Sequence, residues 1–170
     1  EIDGYFGYAS GNKFVAEGLP LNTFLMPKYT GVDKTNGLPM WYKDILGDDG
    51  EVIGTTMTSE YSEATEYLCD DPTPTLYGGF GTSFSFYNFD ISAAFTYSIG
   101  GLAYDSGYAS YMSPPGGTVG SNFHKDVLKA WTPENKDSDV PRFVYQDQNI
   151  NASSDRFLVP AGYLNFQNAQ

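Results

Sequence analysis

The stretch Gly79-Phe80-Gly81-Thr82-Ser83-Phe84-Ser85-Phe86-Tyr87-Asn88-Phe89-Asp90-Ile91-Ser92-Ala93-Ala94-Phe95-Thr96-Tyr97-Ser98-Ile99-Gly100 decides how this chain folds. In its first half Phe80, Thr82, Phe84 and Phe86 share one face, and Gly81, Ser83 and Ser85 the other. Beyond a polar break near Asn88, Phe89, Ile91, Ala93, Phe95, Tyr97 and Ile99 alternate with Asp90, Ser92, Ala94, Thr96 and Ser98. A repeat of two belongs to strands, so the stretch predicts a β-hairpin. Strands of roughly ten residues, apolar outward and small or polar inward, suit a transmembrane β-barrel with a wet interior. The same alternation suits one sheet of a β-sandwich whose apolar face is buried. The two readings part at the face carrying Phe80, Phe84, Phe86, Phe89, Ile91, Phe95, Tyr97 and Ile99. In a barrel that face meets lipid, and in a sandwich a second sheet covers it.

Composition points the same way. Aromatic residues make up 16% of the 170, with 14 Tyr and 12 Phe, while charged residues are only 18%. Tyrosine and tryptophan favour places where one end of the ring is apolar and the other wet, such as barrel girdles and sugar-binding surfaces. A formal charge of −12 with only 9 Lys and Arg argues against nucleic acid, whose phosphates need a basic surface. Acidic outer loops account for it. Cys69 is the only cysteine, which rules out an intrachain disulfide and a thiolate metal cluster, and its neighbours Asp70 and Asp71 disfavour a thiolate there. No apolar run approaches the roughly 18 residues of a membrane helix. Glu1-Ile2-Asp3-Gly4 lacks the basic and apolar regions of a signal peptide.

Away from the hairpin, residues 1 to 18 are rich in Gly and aromatics without a period, and Leu19 to Val32 predicts one strand of imperfect alternation. Asp33-Lys34-Thr35-Asn36-Gly37 predicts a turn into a short strand from Leu38 to Lys43. From Asp44 to Thr75 the acidic, Gly-, Thr- and Ser-rich sequence, closed by Pro72 and Pro74, predicts a long loop. Tyr104 to Ser121 predicts another, with a bend at Pro114-Pro115-Gly116-Gly117. Asn122 to Ala130 predicts one short loop helix capped by Asn122, with Phe123, Val127 and Trp131 on one face, ending before Pro133. Asp155 to Asn168 predicts a last strand interrupted at Pro160 and Gly162. No repeat of fixed period is visible.

Nothing here assembles a catalytic site. His124 is the only histidine, it lies in the expected helix, and no Gly-x-Ser-x-Gly elbow is present. A glycosidase needs two carboxylates across a cleft, a geometry that abundance of acids does not establish. Asp44, Asp48, Asp49 and Glu51 could meet calcium, but their spacing is not that of an EF-hand loop and a solvated acidic loop explains them. No cofactor or metal is expected. Ligand contact is expected instead from exposed aromatics able to stack on sugar rings: Trp41, Tyr42, Tyr104, Tyr108 and Tyr111.

A set of short phrases, read in order, carries a more specific signal. Glu17-Gly18-Leu19-Pro20, Lys28-Tyr29-Thr30-Gly31-Val32-Asp33, Asn36-Gly37-Leu38-Pro39 and Pro74-Thr75-Leu76-Tyr77-Gly78-Gly79-Phe80 precede the hairpin. Leu128-Lys129-Ala130-Trp131-Thr132-Pro133-Glu134-Asn135, Asp139-Val140-Pro141-Arg142, Ser154-Asp155-Arg156-Phe157-Leu158 and Gly162-Tyr163-Leu164-Asn165-Phe166-Gln167-Asn168 follow it. This order, over about residues 17 to 168, resembles the late-barrel portion of SusC/RagA-type TonB-linked outer-membrane transporters.

The resemblance implies an all-β chain of antiparallel strands forming part of a large transmembrane barrel of about 22 strands with a plugged lumen. It implies that residues 1–170 supply late strands and long extracellular loops, the plug domain and final strands lying outside this chain. The implied partners are the rest of the barrel polypeptide, outer-membrane lipid, a SusD-like surface lipoprotein, TonB through the missing N-terminal part, and an oligosaccharide or peptide cargo. The implied activity is binding and gated passage in a bacterial outer membrane, without chemistry on the cargo. The turn at Asn88 is then periplasmic, and Asp44 to Thr75 and Tyr104 to Ser154 extracellular. The alternative is a secreted β-sandwich that binds carbohydrate through Trp41, Tyr42 and the loop tyrosines.

Overall fold

A computed structural model describes Gly4 and residues 6–114, 120–147 and 152–169. The Pro114-Pro115-Gly116-Gly117 bend falls largely outside the described residues, as does most of Glu1 to Gly4. The chain opens with a hairpin of β1 (Gly7–Ser10) and β2 (Lys13–Ala16). The single strand expected over Leu19 to Val32 is two strands in two sheets: β3 (Thr23–Pro27) pairs with β2, and β4 (Tyr29–Val32) begins a second sheet. The break follows Pro27, which has no N–H to give a ladder. All five residues of β3 are buried, and a strand covered on both faces shows no alternation to read.

The turn from Asp33 to Gly37 forms as expected. The Asp33 carboxylate accepts from the Thr35 N–H and hydroxyl and from the Asn36 amide, and the Asn36 carbonyl oxygen accepts from the Leu38 N–H. It leads into β5 (Pro39–Leu46), antiparallel to β4. Asp44 to Thr75, expected as a loop, instead carries the end of β5, then β6 (Val52–Thr58), a 3-10 turn at Tyr61–Glu63, and β7 (Glu66–Leu68). β6 pairs with β5, and β7 closes the first sheet against β3. The acidic and hydroxyl-rich composition hid these strands, because threonine is β-branched and fits a strand as well as a loop.

The long hairpin is β8 (Leu76–Phe86) and β9 (Phe89–Ile99), joined by Tyr87 and Asn88 and paired at every position from Leu76↔Ile99 to Phe86↔Phe89. Next come β10 (Leu102–Tyr104) and the α-helix α1 (Ser106–Tyr111), in a segment expected to be loop. Asp105 caps α1, its carboxylate accepting from the Tyr108 N–H at 2.8 Å. The helix expected at Asn122 to Ala130 is a 3-10 segment, Lys125–Lys129, capped by His124 and not by Asn122. After a 3-10 turn at Asp155–Phe157, the expected last strand splits into β11 (Leu158–Pro160), paired with β10, and β12 (Tyr163–Ala169), paired with β9. The described residues are thus all-β and antiparallel, with one short α-helix. None of their helices is long and apolar enough to cross a membrane.

The buried apolar side chains include Phe14, Phe24, Leu25, Met26, Trp41, Met112 and Phe157, drawn from β2, β3, β5 and the segments around α1 and β11. The sheet β8-β9-β12 has no such core, and Ser98 is its one buried residue. Gly37 ties the turn to this lobe. Its φ is 76°, and a Cβ there would fall on the ring of Trp131, with Cδ2 2.6 Å away. Gly37→Ala meets both the backbone penalty and the clash, so it should destabilise the lobe by about 1–3 kcal/mol. A urea melt of the detergent-held protein, followed by tryptophan fluorescence, checks this through a lowered midpoint.

Candidate functional site

The β8-β9-β12 sheet sorts its side chains by face. Phe80 stands opposite Phe95, Phe84 opposite Ile91 and Phe86 opposite Phe89, and β12 brings Leu164 and Phe166 opposite Tyr97 and Phe95 on the same face. Phe80 and Phe95 stack at 4.9 Å, and Phe166 continues the row at 5.2 Å from Phe95. The other face carries Gly79, Gly81, Ser83 and Ser85 with Asp90, Ser92, Thr96 and Ser98, and the Gln167 amide donates to the Thr96 hydroxyl across it at 2.9 Å. All eight residues expected on the outward face lie on one side. Leu164 and Phe166 join them unanticipated, although their alternation with Tyr163, Asn165 and Gln167 was there to read.

No second sheet covers that face among the described residues: Phe84 is 61%, Phe89 73% and Ile91 59% exposed. A soluble domain buries such a row, so the sandwich loses the feature that defines it. Strand length fits a bilayer as well. Eleven residues at about 3.4 Å each, tilted by about 45°, rise roughly 26 Å, close to the apolar band of about 25 Å on membrane barrels.

The aromatics expected to meet ligand are dispersed. Trp41 is 2% exposed and packs edge-on to Tyr61 at 5.2 Å, so it is a core residue with no free ring face. Its neighbour Tyr42 points to the opposite face of β5 and is exposed. Alternation along Pro39, Met40, Trp41 and Tyr42 was the available signal. Tyr104 and Tyr108 both stand edge-on to Phe157, at 6.0 and 6.2 Å. Tyr108 also donates its hydroxyl to Asp126 at 3.2 Å, and its ring meets His124 at 4.9 Å. Burial and then the Asp126 acceptor hold the Tyr108 phenol above its usual range, while a hydrogen bond from Lys129 is the main cause holding Asp126 below the usual carboxylate range. Tyr111 is 54% exposed at the end of α1.

Several other titratable groups outside the long sheet make structural contacts. The Tyr29 phenol is pushed up to about 12, chiefly by burial and against the pull of Arg156, whose guanidinium lies 5.2 Å above its ring. The hydroxyl donates to the Asp139 carbonyl at 3.1 Å. The carboxylate of Asp44 accepts from the Tyr67 and Thr55 hydroxyls. Among the described residues no group of three or more His, Cys, Asp or Glu is placed to hold a metal. Sequence reasoning passed over Lys28, Asp70 and Asp155, which line a cavity of about 320 Å³ together with Cys69 and three leucines.

No protein-family model matches the chain. TonB-dependent receptor P3 of Formosa agariphila is 27% identical over 160 residues, covering 92% of this chain and 15% of the receptor. Among solved structures, the RagAB peptide transporter matches with a TM-score of 0.74 and 29% identity over 96% of this chain and 17% of the matched chain. The RagAB peptide importer in its closed-closed state matches with 0.75 and 30% over 98% and 18%. The chain is homologous to a segment of the TonB-dependent, RagA-type proteins. It spans 15–18% of the length of these relatives. The similarity extends over 92–98% of the chain, so it covers the lobe as well as the long sheet.

Cys69 gives the site a chemical test. Burial is the main cause pushing its thiol above the usual range, and Asp155 adds more than Asp70 while Lys28 opposes. Burial, and not the adjacent aspartates, therefore leads. A raised thiol holds less thiolate near neutral pH, so iodoacetamide should alkylate Cys69 more slowly than a small unstructured thiol peptide at pH 8, and urea should erase the difference. Mass spectrometry of the alkylated fraction over time is the measurement.

Proposed function

We propose that this chain is a segment of a TonB-dependent outer-membrane importer whose long strands form part of the barrel wall. The observation that carries the reading is the uncovered apolar face of β8, β9 and β12, backed by a small and polar face. Lipid covers the first and a wet lumen the second. The open backbone edges of β8 and β12 then pair with neighbouring strands of the same polypeptide, because an unpaired edge in hydrocarbon costs several kcal/mol for each unsatisfied group, by rough estimate.

In this reading the two-residue turn Tyr87-Asn88 faces the periplasm. The lobe built from β1 to β7 and the segments around α1 forms extracellular structure. A SusD-like surface lipoprotein meets that lobe, TonB acts through a part of the protein outside this chain, and the cargo is an oligosaccharide or a peptide. Tyr42, Tyr104, Tyr108 and Tyr111 remain as contacts on the outer side. The protein binds and passes its cargo without changing it. By name, one of the relatives is a TonB-dependent receptor and the others are a peptide transporter and a peptide importer.

The register makes a depth-dependent prediction. Phe80 and Phe95 pair near mid-strand, whereas Phe86 and Phe89 flank the turn. Phe95→Arg should lower barrel assembly by about 2–4 kcal/mol and Phe86→Arg by about 0–1 kcal/mol, as charge on the lipid face costs most at the midplane. Ser92→Arg, on the lumen face, should be milder than Phe95→Arg. Heat-modifiable migration of outer-membrane fractions reads assembly. Equal damage from Phe95→Arg and Ser92→Arg would sink the membrane assignment.

A further inference from the structure

His124 is the only histidine of the chain, and it joins α1 to the 3-10 segment Lys125–Lys129. Its Nδ1 has two neighbours of opposite kind, both on Asp126. The Asp126 N–H donates to it at 3.2 Å, and the carboxylate oxygen Oδ2 of the same residue also lies 3.2 Å away. An imidazole nitrogen without a proton accepts, and one with a proton donates. Nδ1 therefore satisfies one of these neighbours at a time. As an acceptor it caps the segment but sets its lone pair against a carboxylate. As a donor it closes an ion pair but sets its proton against the Asp126 N–H.

The charged and titratable groups around His124 come from three elements. Its own segment supplies Asp126, the neighbouring Lys125, and Lys129, whose ammonium bonds Asp126 Oδ1 at 2.7 Å. From α1 come the Tyr108 ring, at 4.9 Å, and the Tyr111 carbonyl, which accepts from the His124 N–H at 3.0 Å. The turn at Asp155–Phe157 adds Arg156, whose charge reaches Tyr108. The bond from Lys129 is the main cause holding Asp126 below the usual carboxylate range, and it raises Lys129 in turn, while burial leads in raising the Tyr108 phenol. Asp126 is thus an anion, Lys129 a cation and Tyr108 a neutral phenol throughout the interval of about pH 5 to 8 in which imidazoles change charge. A His124 side chain 36% exposed is open to protons from solvent. The change also reaches α1, because Oδ2 is the oxygen that accepts from the Tyr108 hydroxyl at 3.2 Å. An imidazolium at Nδ1 draws on the same acceptor.

We propose that His124 is a proton-operated switch at the joint between α1 and Lys125–Lys129. Neutral, it caps the segment through the Asp126 N–H; protonated, it releases that N–H and pairs with Asp126 Oδ2, loosening the hold on the Tyr108 hydroxyl. Mild acid exchanges a cap that orders backbone for an ion pair between side chains, so α1, which carries Tyr108 and Tyr111, is held differently on the two sides of the transition. The device needs only this joint, and it stands or falls apart from the importer reading.

The test is hydrogen–deuterium exchange of the whole polypeptide in detergent micelles at about pH 8 and about pH 5.5, the two sides of the imidazole interval. Mass spectrometry with electron-transfer fragmentation reads the Asp126 amide, each rate being referred to that of the unfolded chain at the same pH. Protection of Asp126 should fall roughly two- to thirtyfold in acid, the range for losing a helix N-cap. His124→Asn and His124→Ser put at the cap an acceptor that does not titrate, so each should keep its protection at both pH values. Peptides from β8 and β9 should be unchanged, which separates the joint from a general loosening in acid. Equal protection of Asp126 at the two pH values in the unaltered protein, a fall of the same size in the variants, or a fall shared by β8 and β9 would each overturn the proposal.

Discussion

Register parity across the long sheet is the constraint on which everything else depends. Because side chains alternate, a slip of one residue between β8 and β9 would turn every phenylalanine of one strand to the small and polar side. The two-residue connection at Tyr87-Asn88 fixes that parity by setting Phe86 opposite Phe89. β12 faces the harder problem, because its sequence Leu164-Asn165-Phe166-Gln167-Asn168-Ala169 carries two polar residues in a row. A bulge at Gln167 absorbs the doublet: Phe166 stands opposite Phe95, Asn168 opposite Ala94 and Ala169 opposite Ala93. Both amides stay with the polar face and Ala169 returns to the apolar one. One inserted residue thereby preserves a two-sided wall that strict pairing would have broken.

The lobe solves the opposite problem by ordinary means. Its strands are short, its interior is filled by Trp41, Phe14, Phe24, Leu25, Met26 and Phe157, and distant segments are stitched to it by single polar contacts. The Tyr61 hydroxyl donates to the Ser153 carbonyl at 2.7 Å and the Arg142 N–H to the Gly37 carbonyl at 2.8 Å. Such a lobe can hold its own shape through burial. The long sheet cannot, since its apolar face and both outer edges have no partner among the described residues.

This division also explains what the sequence made legible. β8 and β9 could be read because one face is apolar and the other small or polar. β3 could not, because burial on both sides erases the period, and β6 was masked by threonines beside an acidic turn. α1 is six residues long, too short for a helical period, and its one clue was the cap at Asp105. Trp41 was misjudged because tryptophan suits both a core and a sugar platform, and only packing separates them. The cavity lined by Lys28 and Asp155 was out of reach for another reason. Lys28 and Asp155 sit at opposite ends of the chain, and the Tyr29–Asp155 hydrogen bond that sets their geometry exists only in the fold.

The junction of lobe and sheet is closely packed. Three passages between lobe and sheet run side by side: the Thr75 N–H donates to Ile99, the Leu102 N–H to Asp71 and the Ala161 N–H to Gly101, at 2.9 to 3.0 Å. Gly100 and Gly101 have φ of 81° and 73°, and a Cβ on either would lie 2.6 Å from Thr75 or from the Pro72 carbonyl. These glycines let the passages close up against one another, where any side chain would hold them apart. A cavity of about 440 Å³ is lined by this same waist, including Asp71, Thr75 and both glycines.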